Sequence, residues 1–328
     1  MTYQPVPLPS HLPESLTITL WDFSWYVRSG PGEPFEDLDR AFAEATERGY
    51  NTIRICAMPY LLFGSGLDTT ELRLGSLGGR YGQRVRWYDV AQPTQIDGRA
   101  RLLALFEAAK RHDCYIIVSS WEYQQSSSFA ETPEWFESLM AIDPEDRAEA
   151  QAAALASLVD FVAGHGLDDR IAFVEVHNEV QVCHLADGLP TEPLERIVAL
   201  RPRLERAVET FHRLQPAMPV TVNYAHVPVG AMRGIPENVD VLVTHPYVYG
   251  VLQAFIDAYG LRRPPAEFDQ ARADGDILLP GSPRIGEWGP DGAWRKVATI
   301  VSDAEIYVHD CGDAEAIDRW LYRNYPLW

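Results

Sequence analysis

FVEVHNEVQ, residues 173–181, begins as a strand packed on both faces and then turns polar. Phe173, Val174 and Val176 suit a buried strand, because aromatic and β-branched side chains pack well on a pleated surface. Glu175, His177, Asn178 and Glu179 interrupt that run. An ionised carboxylate loses its hydration on burial, so it is costly unless it is paired. Side chains alternate along a strand with a period of two, which puts Glu175 on the same face as His177 and Glu179. Glu175 therefore reads as an interior carboxylate paired with a cation.

Seven further segments of the same kind surround this one: LTITLWDFS (16–24), NTIRICAM (51–58), CYIIVSSWE (114–122), PVTVNYAH (219–226), VDVLVTHPY (239–247), RIGEWG (284–289) and EIYVHD (305–310). Stretches of helical period lie between them. FEDLDRAFAEATERG has Leu38, Phe42 and Ala45 on one face, acids in its first turn and a stop at Gly49. Helices are also expected over 97–112, 145–166, 192–214, more weakly around 252–273, and over 291–301 and 313–325. The connection over 227–238 is short and only weakly helical in pattern.

Eight apolar strands alternating with helices imply parallel pairing, since parallel neighbours need crossover connections. The closed solution is an α/β fold, a single (β/α)8 TIM barrel covering residues 1–328. An open doubly wound sheet is the alternative, but no GxGxxG follows the first strand. The long connections, 59–96, 123–143 and 246–283, all follow strands, which puts the elaborated loops at the C-terminal face of the barrel. GSLGGRYGQR (75–84) lacks GK[ST] and reads as a rim loop rather than a phosphate cradle.

The 328 residues are 46% hydrophobic and 11% aromatic, enough for a substantial core, and no run of 18 apolar residues suggests a membrane span. A net charge of −19 disfavours nucleic acid and anionic membrane surfaces as partners. A neutral or cationic small molecule fits that charge better. The start, MTYQPVPLPSHLPES, does not read as a signal peptide and looks like a Pro-rich lead-in. Cys56, Cys114, Cys183 and Cys311 form no CxxC pair and read as reduced thiols, so a cytoplasmic location is expected.

The ends of the strands collect polar and aromatic groups: Trp21 and Asp22, Arg54, Trp121 and Glu122, His177 to Glu179, Asn223 and His226, His245 and Tyr247, Glu287 and Trp288, His309 and Asp310. Glu179 and Glu287 each follow an apolar run directly, on the fourth and seventh strands. Hydrolysis of a glycosidic bond needs one carboxylic acid for the leaving oxygen and one carboxylate facing the anomeric carbon. HNE at 177–179 and IGEWG at 285–289 resemble the motifs of the retaining glycoside hydrolases of clan A, in particular the cellulase-like branch near family 5. Arg54 is similar to that family's strand-2 arginine, and HPY at 245–247 to its strand-6 His-x-Tyr.

The resemblance implies that Glu179 is the acid/base, Glu287 the nucleophile and Asn178 the group holding the sugar's 2-hydroxyl, with Arg54 and Tyr247 bonded to the nucleophile. Retention through a covalent glycosyl-enzyme expects the two carboxyls about 5–5.5 Å apart. Glu179 must carry its proton at rest, which a partly apolar setting or the Glu287 charge would favour.

Trp288, Trp121 and Trp21 are candidates for stacking on sugar faces. Glu122, His177, His245, His309 and Asp310 complete the expected substrate-binding rim. No cofactor and no metal is expected, and the substrate is a neutral carbohydrate, a short oligosaccharide or glycoside. This chain departs from the family in having His309-Asp310-Cys311 where many relatives have a Trp, and Ser119-Ser120-Trp121-Glu122 where a strand-3 histidine is common. Two other readings remain. The histidines at 177, 226, 245 and 309 fit a metal-dependent barrel hydrolase or isomerase, although the first strand lacks HxH. A sugar-binding barrel without catalysis is the other.

Overall fold

The computed structural model describes residues 3–74, 93–122, 133–225 and 232–245, together with the backbone of short strands between 277 and 308. The chain groups into two compact units, residues 1–78 with 88–245 and residues 79–87 with 246–328.

The first unit is built on parallel strands running in chain order. β1 (Ile18–Asp22), β2 (Thr52–Cys56), β3 (Tyr115–Ser119), β4 (Ile171–Glu175) and the first part of β5 (Val220–Thr221) form one sheet. After Val222 the strand changes partner, and its second part, Asn223–Tyr224, pairs in parallel with β6 (Val243–Thr244). All eight strand segments expected from the sequence contain a strand.

Between the strands run α1 (Leu38–Glu47), α2 (Gly98–Arg111), α3 (Arg147–Ala163) and α4 (Pro193–Leu214). Three of these helices start on an acidic cap. The side chains of Asp37, Asp97 and Glu192 accept from the N–H groups of Arg40, Ala100 and Glu195, donors that have no partner within the helix. The segment 227–238, weakly helical in pattern, holds the short turn Met232–Gly234 among its described residues.

β2, β3 and β4 are buried at every position. One face packs against the helices, and the other changes character along its length. At the N-terminal end Tyr115, Ile117 and Phe173 cluster with Leu12, Leu16, Val241 and Val243. The lead-in segment is tied beneath this plug: Tyr115 Oη donates to the His11 carbonyl at 2.9 Å and Tyr3 Oη to Asp240 Oδ1 at 2.6 Å. Two residues on from Ile117 and Phe173, at the opposite end, that face carries Ser119 and Glu175. Apolar packing closes one end and polar groups occupy the other.

In the second unit Gly286–Trp288 pairs antiparallel with Trp294–Lys296, and Tyr307–Val308 pairs antiparallel with both Ile277–Leu278 and Thr299–Ile300. The helix expected over 291–301 is therefore replaced by two short strands. Trp294, Thr299 and Ile300 are strand formers, and that preference outweighs the apparent helical spacing. The helices expected around 252–273 and over 313–325 lie outside the described residues.

Gly234 sits where the turn after β5 meets α4, and a Cβ there would lie 2.7 Å from the Ile197 carbonyl oxygen. Gly234→Ala should lower the unfolding free energy by about 1–3 kcal/mol, because helix backbone must move to admit one methyl. Urea denaturation of the two proteins measures it.

Candidate active site

The polar groups at the strand ends are organised around one buried ion pair. Arg54, in the middle of β2, reaches across β3 to Glu175 at the end of β4: Nε lies 3.0 Å and Nη2 2.5 Å from Glu175 Oε2. The two side chains are 8% and 1% exposed. The cation predicted for Glu175 is thus Arg54. The remaining reach of the guanidinium goes to Ser119 Oγ at 3.2 Å and Asn178 Oδ1 at 2.7 Å. Arg54 therefore fixes which end of the Asn178 amide carries the oxygen, and its Nδ2 donors face away from the cation.

Asn223 completes the network. Its Nδ2 donates to Glu175 Oε2 at 2.7 Å, while its Oδ1 accepts from the Glu179 N–H at 2.6 Å. Glu179 has φ 47° and ψ 60°, a left-handed conformation that costs a residue with a Cβ about 1–2 kcal/mol. The Asn223 bond helps to hold it there. The Glu179 carboxylate, 17% exposed, has Oε1 3.1 Å from Nδ1 of His245. Asn223 was visible in the sequence as a strand-end residue but was not singled out. Its signal is its position two residues beyond Thr221 on an inward strand face.

Arg54, Glu175, Asn178, Glu179, Asn223 and His245 are thus brought together, and three other candidates are placed elsewhere. Trp21 packs edge-on against Phe35 and against Phe42 of α1, with ring centroids 5.1 and 4.7 Å away. Trp121 meets Phe23 edge-on at 5.8 Å. Glu122 is fully buried: Oε1 accepts from the Tyr60 N–H at 2.9 Å, and Oε2 from Gln151 Nε2 at 3.1 Å and from Ser120 Oγ. Burial pushes its carboxyl up to about 7, against the hydrogen bonds from Ser120 and Tyr60 that favour the ionised form. It braces the turn at Tyr60–Gly64 against α3.

His177 is also fully buried, with Nδ1 2.6 Å from the Asn178 carbonyl oxygen, and burial brings its pKa down to about 4. Beside it lies His184, whose pKa burial lowers well below the usual histidine value, and Cys183, whose thiol burial pushes up to about 12. Among the described cysteines Cys56, Cys114 and Cys183 are buried and form no disulfide. Glu287 and Trp288 lie in the strand Gly286–Trp288, and their side chains, with Tyr247, His226, His309 and Asp310, are outside the described residues.

Two outcomes follow from these placements. Glu175→Ala removes the buried carboxylate that Nε and Nη2 of Arg54 both bond and should cost about 3–5 kcal/mol of stability, much of which Arg54→Met combined with Glu175→Leu should restore; chemical denaturation of the three proteins measures this. Glu122 holds its proton in the folded protein above the ordinary glutamate value of 4.5, so its contribution to stability is greatest below that value and falls as pH rises to about 7. Relative to wild type, Glu122→Gln should remove up to about 3 kcal/mol of that pH dependence. Denaturation midpoints on both sides of the window test it.

Comparison with known proteins agrees with this arrangement of strands. Residues 18–279 match the family of sugar-binding cellulase-like proteins. A Parabacteroides distasonis protein assigned provisionally to the glycoside hydrolases is similar in structure, with a TM-score of 0.55 and 21% identity. That match covers 78% of this chain and 65% of the other, so the chain spans about two thirds of its length. The endo-1,4-β-mannanase of Rhizomucor miehei gives 0.43 at 11% identity, over 76% of this chain and 72% of that one. A broad-specificity endoglucanase from Clostridium acetobutylicum gives 0.39 at 16% identity, over 68% and 60%. None of the curated proteins matches the sequence. Among the described residues no helix is long and apolar enough to cross a membrane. With a family match over most of its length and β1 to β6 pairing in parallel, the chain belongs to the cellulase-like family and has an α/β, (β/α)8 barrel fold.

Proposed function

We propose that this chain is a retaining glycoside hydrolase, a single catalytic domain acting on a short neutral oligosaccharide or glycoside. The observation that carries the reading is the setting of Glu179. Its backbone is tied in a left-handed turn by Asn223, its carboxylate faces His245, and the neighbouring Asn178 is oriented by Arg54. A strained residue held by this many bonds at the end of a barrel strand is the pattern of a positioned reactive group.

In this reading Glu179 protonates the glycosidic oxygen as Glu287 attacks the anomeric carbon, and the bond to the leaving group breaks as the bond to Glu287 forms. Glu179, now a carboxylate, takes a proton from water, and that water displaces Glu287 from the sugar. Asn178 donates to the 2-hydroxyl. His245 hydrogen-bonds Glu179 and limits its orientation. Tyr247 and Arg54 act on the nucleophile's side, Trp288 offers stacking surface, and His309 and Asp310 line the rim. Buried thiols outside any disulfide at Cys56, Cys114 and Cys183 support a cytoplasmic setting.

A second reading has a specific observation in its favour: the matching family is described as sugar-binding. There the same site would hold a carbohydrate without cleaving it.

A panel of aryl glycosides tested with wild type, Glu179→Ala and Glu287→Gly separates these. Hydrolysis is expected in the wild type, with turnover lost in Glu287→Gly and partly regained with azide or formate, which replace the missing nucleophile. Glu179→Ala should lose most activity on poor leaving groups and least on activated ones. Full turnover in both variants would overturn the role assignment, and sugar binding with no cleavage of any substrate would favour the second reading.

A further inference from the structure

We propose that His177, Cys183 and His184 form a binding site for one borderline-soft divalent transition metal of the zinc class, which clamps the turn carrying Glu179. The donor atoms of these three residues lie within 4.8 Å of one another, and all three residues are buried. His177 follows β4, and Cys183 and His184 lie at the junction of two short 3-10 turns, Val180–Val182 and His184–Ala186. The imidazole centroids are 5.5 Å apart with planes at 82°, an edge-to-face arrangement.

Each ring is prepared differently. The Asn178 carbonyl accepts from Nδ1 of His177, which puts the proton on Nδ1 and the lone pair on Nε2. A backbone carbonyl in this position is the usual orienting partner of a ligating histidine. His184 is 6% exposed, yet among the described residues neither Nδ1 nor Nε2 has a hydrogen-bond partner. The Glu122 carbonyl interacts with both rings without the alignment of a hydrogen bond to His184. A buried polar group without a partner costs about 1–3 kcal/mol, and coordination would remove that cost.

The donor set chooses the metal. Two imidazoles and one thiolate suit zinc and exclude calcium and magnesium, which take oxygen ligands. Binding requires the Cys183 Sγ, which lies 3.3 Å from the Val180 carbonyl oxygen, to release its proton to solvent. Zinc–nitrogen and zinc–sulfur lengths of about 2.0–2.3 Å require the three donors to close by about 1 Å. The fourth position falls to water or to the Glu122 carbonyl. Arg147 is the cation closest to opposing this. Its Nη1 lies 3.3 Å from the His184 carbonyl oxygen, but it is paired with Asp187 at 2.6 Å.

The surrounding backbone is already anchored. Buried Arg203 donates to the carbonyls of Leu185 and Asp187 at 2.7 and 2.9 Å, fixing the second turn to α4. A metal between His177 and Cys183 would close the intervening loop, which contains Asn178 and Glu179. The proposal needs neither residue to be catalytic, and its test does not use activity.

Purified full-length protein, stripped with a chelator and dialysed, is titrated with cobalt(II). One equivalent should produce thiolate-to-cobalt charge-transfer absorption in the near ultraviolet and tetrahedral bands in the visible, and zinc should bleach both. Zinc alone should raise the melting temperature. Cys183→Ser should abolish the charge-transfer band, and His184→Ala should weaken cobalt binding by about tenfold or more. Cys56→Ser, Cys114→Ser and Cys311→Ser, which keep the site, should retain the band, so the test stands even where Cys183→Ser fails to fold. Absence of the band in wild type, or its persistence in a folded Cys183→Ser protein, would overturn the proposal.

Discussion

The pair between Arg54 and Glu175 is the constraint on which the polar end of this protein depends. Neither charge can remain unpaired in the interior, and the bond between them spans from β2 across β3 to β4. Once Arg54 is committed to Glu175, its remaining donor reach settles Ser119 and Asn178, and Glu175's second partner settles Asn223. Four strands, β2 to β5, are thereby linked at one end by a single hydrogen-bonded chain. A buried network of this kind is stabilising only when every member is satisfied, and it then specifies one arrangement.

Glu179 takes its position from that chain. Asn223 carries the influence, with one end of its amide on Glu175 and the other on the Glu179 N–H. The left-handed backbone turns the chain sharply out of the strand direction, and the side chain meets His245, just beyond β6. The structure accordingly separates two kinds of acid near one another. Glu175 is the fully buried counter-charge, and Glu179 is the partly exposed group at the surface of the network.

Beneath the turn is a second layer, made of His177, Cys183, His184 and the Glu122 carboxyl with its Gln151 partner. Its groups are buried, and burial drives each toward its neutral form. The contrast with the Arg54 network is physical. There charge is matched by charge, whereas here charge is avoided, leaving neutral donors at close range.

The alternation of apolar strands and helices was legible in the sequence because side-chain period is a local property. So was the need of Glu175 for a cation, since burial of a carboxylate beside Phe173 and Val174 has few solutions. HNE and GEWG gave the family for the same reason, as short motifs at the ends of predicted strands. Tertiary structure alone decided which cation Glu175 takes, and that Trp21 turns toward α1 while Glu122 turns inward to Gln151. It also brought Asn223 between two glutamates and set His184 beside His177. The strands at 294–296 and 299–300 replaced a helix because strand-forming residues there pair with the neighbouring strands at 286–288 and 307–308, which outweighs the apparent helical spacing. Sequence determines what each residue requires; which partner meets that requirement depends on neighbours dozens of positions away, brought within 3 Å only when the strands pair.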